Sequence, residues 1–467
     1  MNPRTFILVC VLFSVFSLWD EAVPFEGNEA VITLPEAIEM ALEHNEGILA
    51  ARDAVREAEA GVVIARSGFL PQISAQGSYT RLAELPAIEM EAPKYGMMEV
   101  PVFGPTGDTI GFTVVPGIVG TDIMKYQMGE TENYVGRASL QQPLFTWGKI
   151  FNGYQIANLN AEASQEDYRK QKNGLVFNVT KSFYGILVMR ELVKLAEDAY
   201  KQTANHVDAV EERYQAGVAS NFDLLRAKVQ LKNMEPQVIR VKNGLELAKT
   251  GFKTLLGLPQ DTTINLKGEL DVDVGTQYIV PLQESIDYAK SNRPETKALE
   301  LRKEMAGKAL AISKKANWPN IALIANYDYK KPLYFKNEWG TDWNVTVALQ
   351  MPIFTGFGNR GKIRQVKYQF SQIEHGFKLL KEGIEMEVRA SYLQLEEARK
   401  LVESQKENIA QAEEALSIVQ ERYKQGLATS LEVMDTQLAV TKAKANYLQA
   451  LSDYVIAKAK LEKAIGK

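Results

Sequence analysis

The stretch GFGNRGKI at 356–363 has the spacing of a phosphate cradle. In a G-x-x-x-x-G-K loop between a strand and a helix, backbone amides wrap phosphates and the lysine neutralises them. That chemistry also needs Ser or Thr after the lysine to hold magnesium, and Ile363 stands there. Other reactive residue types are thin on the ground. His44, His206 and His375 lie far apart on helix-like segments, none with a second ligand at metal spacing, and read as polar surface residues. Met90, Met97, Met98, Met124 and Met128 cluster in one stretch, where thioethers suit soft cations and plain packing is the simpler reading. No nucleophile elbow or H-E-x-x-H occurs, so neither catalysis nor a cofactor or resident metal is expected.

Self-comparison decides the fate of the cradle. LQQPLFTWG (140–148) resembles LQMPIFTGFG (349–358), and ERYQAGVASNFDLL (212–225) resembles ERYKQGLATSLEVM (421–434). Pro143 pairs with Pro352 and Gly217 with Gly426, both 209 residues apart. Upstream, Leu34 pairs with Leu282 and Pro71 with Pro319 at a separation of 248, so the first copy carries 39 extra residues. This surplus falls near 82–131, a stretch rich in Gly and Pro that reads as a long loop. The counterpart of GFGNRGKI is WGKIFNGY (147–154), which has no equivalent of Gly361 or Lys362. What the two copies share is a glycine turn from strand into helix.

The elements that position these turns follow from periodicity. Ile73, Ala75, Gly77 and Tyr79 alternate with polar residues over 72–81, and Tyr134, Gly136, Ala138 and Leu140 do so over 133–141. The second copy repeats the pattern with Ile321, Leu323, Ala325, Tyr327 and Tyr329, then Trp343, Val345, Val347 and Leu349. About ten residues of such alternation is the length of a transmembrane β-strand, and aromatics near the strand ends suit an interfacial girdle. A half-buried soluble sheet is the alternative. Four strands cannot close a barrel, because the smallest have about eight, and an open edge in lipid leaves backbone groups unpaired. If they cross a membrane the chain must oligomerise, and three copies give twelve strands.

Between the strands, heptads run through Val179, Ile186, Val193, Tyr200, Val207 and Tyr214, and through Val388, Leu395, Val402, Ile409, Leu416 and Tyr423. Small residues (Ser182, Ala196, Thr203; Ser391, Ala398, Ala412) sit on a second line. This is the pattern of left-handed coiled coils, over helices of roughly 100 Å. Each long helix should stop at Gly217 or Gly426 in a left-handed cap. Ser220 or Ser430 then suits a new N-cap, with Asp223 or Glu432 in the acidic first turn. The return helices end near Leu256 and Ile465, the first kinked at Pro236.

The start of the chain and its composition fix the class. Arg4 precedes an apolar run from Thr5 to Trp19, too short for a membrane-spanning helix and suited to an export signal over 1–22; a short membrane anchor is the alternative. Cys10 is the only cysteine, so a processed chain has no thiol. With 467 residues, 46% hydrophobic and 24% charged, and a net charge of −4, neither disorder nor nucleic-acid binding is suggested. The expected organisation is a first repeat over 23–256 with its hairpin at 72–142, a linker at 257–281, and a second repeat over 282–467 with its hairpin at 319–351. Each repeat is a helix (34–66 or 282–316), a hairpin, a very long helix, a tight turn and a return helix.

In this order and twice over, the P-[LI]-F-T signal and the RY-x-x-G-x-x-[ST] turn resemble the TolC-type outer-membrane efflux proteins. The resemblance implies an α+β membrane protein in which three protomers build a twelve-stranded β-barrel and an α-barrel of coiled-coil helices reaching into the periplasm. It implies the outer-membrane exit duct of a tripartite efflux or type I secretion system in a Gram-negative-type bacterium. The partners implied are a periplasmic adaptor protein, an inner-membrane RND, ABC or MFS transporter, and outer-membrane lipid. The alternative is a periplasmic coiled-coil scaffold. The resemblance puts the tip turns (Tyr214, Gly217, Ser220, Asp223; Gly426, Thr429, Ser430) at the adaptor-docking end, and Tyr423, Glu432 and Asp435 at the channel constriction. Residues i and i+3 share a helix face, so three copies of Glu432 and Asp435 would form a ring of six carboxylates; an acidic helix start that complements the dipole is the alternative. Ala428 replaces the family's frequent basic residue, so the resemblance does not extend to the family's gating salt bridge. The end at Lys467 implies a reduced equatorial belt.

Overall fold

A computed structural model of the chain describes residues 30–268, 270, 280–334 and 336–466. The export-signal reading of 1–22, with Arg4 and Cys10, and residues 269 and 271–279 of the linker lie outside it. In chain order the elements are β1 (Ala30–Ile32), α1 (Leu34–His44), α2 (Glu46–Ser67), β2 (Gln72–Arg81), β3 (Ala87–Phe103), β4 (Thr109–Gln127), β5 (Glu132–Phe145), α3 (Lys149–Gln215) and α4 (Asn221–Leu256). Then follow β6 (Ile264–Leu266), α5 (Leu282–Asn292), α6 (Pro294–Lys314), β7 (Asn320–Lys331), β8 (Gly340–Gln350), α7 (Gly358–Lys424) and α8 (Ser430–Ile465). The duplication is plain in the helix lengths: α3 and α7 have 67 residues each, and α4 and α8 have 36 each.

The chain divides into two compact units. One takes the described residues up to Ile48, from Gly174 to 270, and Ser391–Lys463. Here heptad positions contribute to the core: Val179, Ile186 and Val207 are buried on α3, and Leu395 and Val402 on α7. Each such burial contributes about 1.5–3 kcal/mol. Ser391, Ala398 and Thr203 of the small-residue line are buried too. β1 pairs in parallel with β6, Val31 opposite Asn265. α4 runs through Pro236 to Leu256, where Gly257 takes a left-handed φ of 74°.

The other unit takes Leu49–Asn173, the described residues from 280 to Ala390, and those from Ala464 on. Its sheet has the antiparallel order β2-β5-β7-β8. Tyr79 faces Tyr134, and Leu140 lies between Ile73 and Ala325. Val345 continues that row from Ala325.

Three expectations are corrected. The helix expected over 34–66 is broken at Asn45, whose extended backbone ends α1 while its Oδ1 accepts from Gly47 N at 2.9 Å and starts α2. The helix expected over 282–316 is broken at Arg293, because the residue before Pro294 is pushed out of helical ψ (here 136°). The long loop expected over 82–131 is largely a two-stranded ribbon, β3 against β4. Its Pro93, Pro101 and Pro116 are tolerated because a lone pair of strands has two outer edges, where a missing N–H breaks no ladder.

Candidate functional site

The sheet sorts its side chains by register. Ile73, Leu140, Ala325 and Val345 lie on one face, with Ala75, Ala138, Tyr327 and Trp343 in the next row. This apolar face is open, with Trp343 71% exposed. The opposite face is polar and internally bonded. Arg137 clamps Asp328 through Nε–Oδ1 at 2.7 Å and Nη2–Oδ2 at 2.9 Å. Ser139 donates to Asn326 Oδ1 at 2.8 Å, Asn326 donates to Asn344 Oδ1 at 3.1 Å, and Lys330 reaches Asp342 at 3.0 Å. An apolar face and a polar face on strands of 10 to 14 residues suit a wall between lipid and water. β2 and β8 are its unpaired edges among the described residues. No described helix is long and apolar enough to cross a membrane.

The strands hand over to the long helices through left-handed pairs, Trp147–Gly148 (φ 57° and 77°) and Gly356–Phe357 (59° and 63°). α7 begins at Gly358, so the phosphate-cradle reading ends here: the Gly361 amide already bonds Phe357 O at 3.1 Å, and Lys362 turns to Gln365. These residues are the first turn of a helix.

At the other end of each long helix the turn closes the same way twice. Gly217 and Gly426 have φ of 75° and 76°. Val218 N bonds Arg213 O at 2.9 Å, and Leu427 N bonds Arg422 O at 2.8 Å, the six-to-one bond of a Schellman cap. A capping box then opens the return helix. Ser220 Oγ accepts from Asp223 N at 3.1 Å while Asp223 Oδ2 accepts from Ser220 Oγ at 2.6 Å. In the second copy, Glu432 N donates to Thr429 Oγ1 at 3.3 Å, and Thr429 N and Oγ1 both donate to Glu432 Oε2, at 2.6 and 3.0 Å. The cap is therefore Thr429, 209 residues from Ser220, and not Ser430. The Thr429 amide, then its hydroxyl, hold the Glu432 carboxyl below its ordinary value. Glu432 and Asp435 are both exposed, one turn apart on α8.

Ser430 instead belongs to a cluster that single residues did not announce. Its Oγ lies 2.8 Å from Nε2 of His206, which is 7% exposed rather than on the surface. Burial lowers the His206 pKa. The His206 ring stands 5.7 Å from the Tyr423 ring, and the Arg213 guanidinium lies 4.5 Å from that ring's centroid. Arg213 Nη1 also donates to Tyr423 O at 3.1 Å. His206 and Arg213 are seven residues apart on α3, the heptad spacing that brings both to one neighbour. Tyr214 has no such neighbour and is exposed, as are Val218, Phe222 and Leu427 around the turns.

A membrane-length wall with open edges, in a chain with duplicated pairs of long and return helices, is the equipment of a membrane duct built from several copies. The chain belongs to the outer membrane efflux protein family, which matches residues 37–258 and 285–467. It is 22% identical over 438 residues to the outer membrane efflux protein BepC of Brucella suis biovar 1 (strain 1330), covering 93% of this chain and 85% of that protein. It is 25% identical over 312 residues to the fusaric acid resistance protein FusA of Burkholderia cepacia, covering 65% of this chain and about half (52%) of that protein's length. The fold matches the outer membrane channel CmeC of Campylobacter jejuni with a TM-score of 0.74 at 16% identity, covering 93% of this chain and 85% of that one.

Proposed function

We propose that the chain is the outer-membrane exit duct of a tripartite efflux or type I secretion system, a passive channel rather than an enzyme. The observation that carries this is the sheet: one continuous apolar face, one bonded polar face, and two open edges. Lipid tolerates no unpaired edge, so β8 of one copy must pair with β2 of the next. Three copies give a twelve-stranded barrel, with the Arg137–Asp328 clamp and the Asn326–Asn344 ladder on the water side. The helices continue the duct into the periplasm.

The tip turns then meet the periplasmic adaptor that links the duct to an inner-membrane RND, ABC or MFS transporter, and the transporter supplies the energy. The exposed Val218, Phe222 and Leu427 beside Gly217 and Gly426 give that adaptor an apolar foothold. Tyr423 is the closing residue of the constriction, held by Arg213 and His206. In a trimer, Glu432 and Asp435 form a ring of six carboxylates that favours cations; the capping box spends one Glu432 oxygen and leaves the other free.

Light scattering of the detergent-solubilised chain, with membrane fractionation, tests this reading. A trimer recovered from outer membranes is expected. A monomer, or a chain released from the periplasm without detergent, overturns it.

A further inference from the structure

The β3–β4 ribbon has no part in the duct as described, yet it grows directly from the wall. Above the β2–β5 pair, Leu82 N bonds Thr131 O and Met128 N bonds Pro86 O, both at 2.8 Å, so the stem stays paired up to the ribbon's first rung, Ala87 opposite Gln127. With 17 and 19 residues the ribbon extends about 55 Å beyond it. A lone hairpin is marginal in water, because one face of each strand has nothing to cover it.

Register separates its faces. One carries Ile88 opposite Tyr126, Met90 opposite Met124, and Met98 and Val100 farther on. Its charges, Lys94 and Asp122, meet at 3.4 Å and neutralise each other. Gly96 pairs with Gly117, and Val119 and Met98 lean over these glycines on this face. The opposite face mixes Tyr95, Met97 and Phe112 with Glu91, Glu99 and the pair Glu89–Lys125, so it has surplus negative charge.

We propose that this charge-balanced face is where the ribbon meets the ribbons of two further copies, forming a collar over the external mouth of the barrel. The proposal rests on the trimer reading above. Two observations choose the occupant. The ribbon issues from β2, the edge strand that must pair with a second copy, so it is continuous with that interface. Self-association also requires a face whose charge cancels. Three copies meeting through the other face would bring six uncompensated carboxylates, from Glu91 and Glu99, together, which costs too much away from water.

The test places single cysteines on adjacent residues of β3, Met98→Cys for the proposed interface and Glu99→Cys for the outer face, with the parent chain as control for Cys10. The solubilised protein is treated with a bismaleimide spanning about 10 Å, the spacing of packed sheet faces. Light scattering on the same samples reports the oligomer. The proposal expects trimers in both, with roughly tenfold more covalent dimer from Met98→Cys, given that spacing. Should Met98→Cys misfold, Ala92→Cys against Glu91→Cys asks the same question. Trimers in which both faces cross-link equally, or in which the Met98→Cys thiol reacts only with a water-soluble maleimide, overturn the collar and leave the duct standing. Reaction only with a lipid-phase maleimide overturns it too, in favour of lipid as the occupant. A monomer removes the trimer reading and the collar with it.

Discussion

The two tip turns share one backbone and differ in what surrounds it. Gly217 and Gly426 are within a degree of each other in φ, and each leads into a hydroxyl–carboxylate capping box at the same offset. In the first turn only Arg213 reaches across: Tyr214 is exposed, and Ser220 bonds within its own box. In the second, Tyr423 meets both Arg213 and His206, and Ser430, one residue past the cap, is tied to His206. Duplication supplied two equal hinges, and divergence made them unequal: the second offers Tyr423 and Ser430 to side chains of α3, while the first offers only Arg213 in return. On the proposed reading of the constriction, the second turn is therefore the one to test as a gate.

The largest expected effect breaks this asymmetry. Tyr423→Ala removes the ring that Arg213 and His206 both meet and should raise single-channel conductance several-fold, whereas Tyr214→Ala should leave it unchanged; equal effects would refute the asymmetry. Next comes acid. The buried His206 has a lowered folded pKa, so the folded tip binds fewer protons than the unfolded one as pH falls through about 6.5. Stability of the tied turn is therefore full above that pH and lost below it, because burial disfavours the protonated ring. Conductance should rise on acidification in the parent and much less in His206→Asn, while a parent flat between pH 7.5 and 5.5 would remove His206 from the gate. The smallest effect is common to both turns. Ser220→Ala and Thr429→Ala should each cost the local helix start about 1 kcal/mol, read by hydrogen exchange at the first amides of α4 and α8. A Ser430→Ala that frays α8 as much as Thr429→Ala would contradict the cap.

What was legible in the sequence follows the same line between repeated and unrepeated features. Strict alternation over ten residues admits only a two-faced strand, and sustained heptads admit only paired helices, so β2, β5, β7, β8 and the buried faces of α3 and α7 could be read directly. The ribbon could not. Pro93, Pro101 and Pro116 imitate loop punctuation, and the bulge at Val119 shifts the pattern, so only the pairing of β3 with β4 reveals its faces. The cap was misread by one residue because Thr429 and Ser430 are both good caps; the offset of 209 from Ser220 contained the answer. His206 carried no signal alone, since a single histidine looks the same on a surface as in a core. Its heptad relation to Arg213 was the available clue.

Whether the chain conducts through the proposed carboxylate-lined constriction is read directly in a planar bilayer. Purified trimer is added in detergent, with the parent beside Glu432→Ala/Asp435→Ala. Small cation-selective channels are expected in the parent, with selectivity reduced in the double variant. Failure of a well-folded, helical trimer to insert and conduct would contradict the proposed duct.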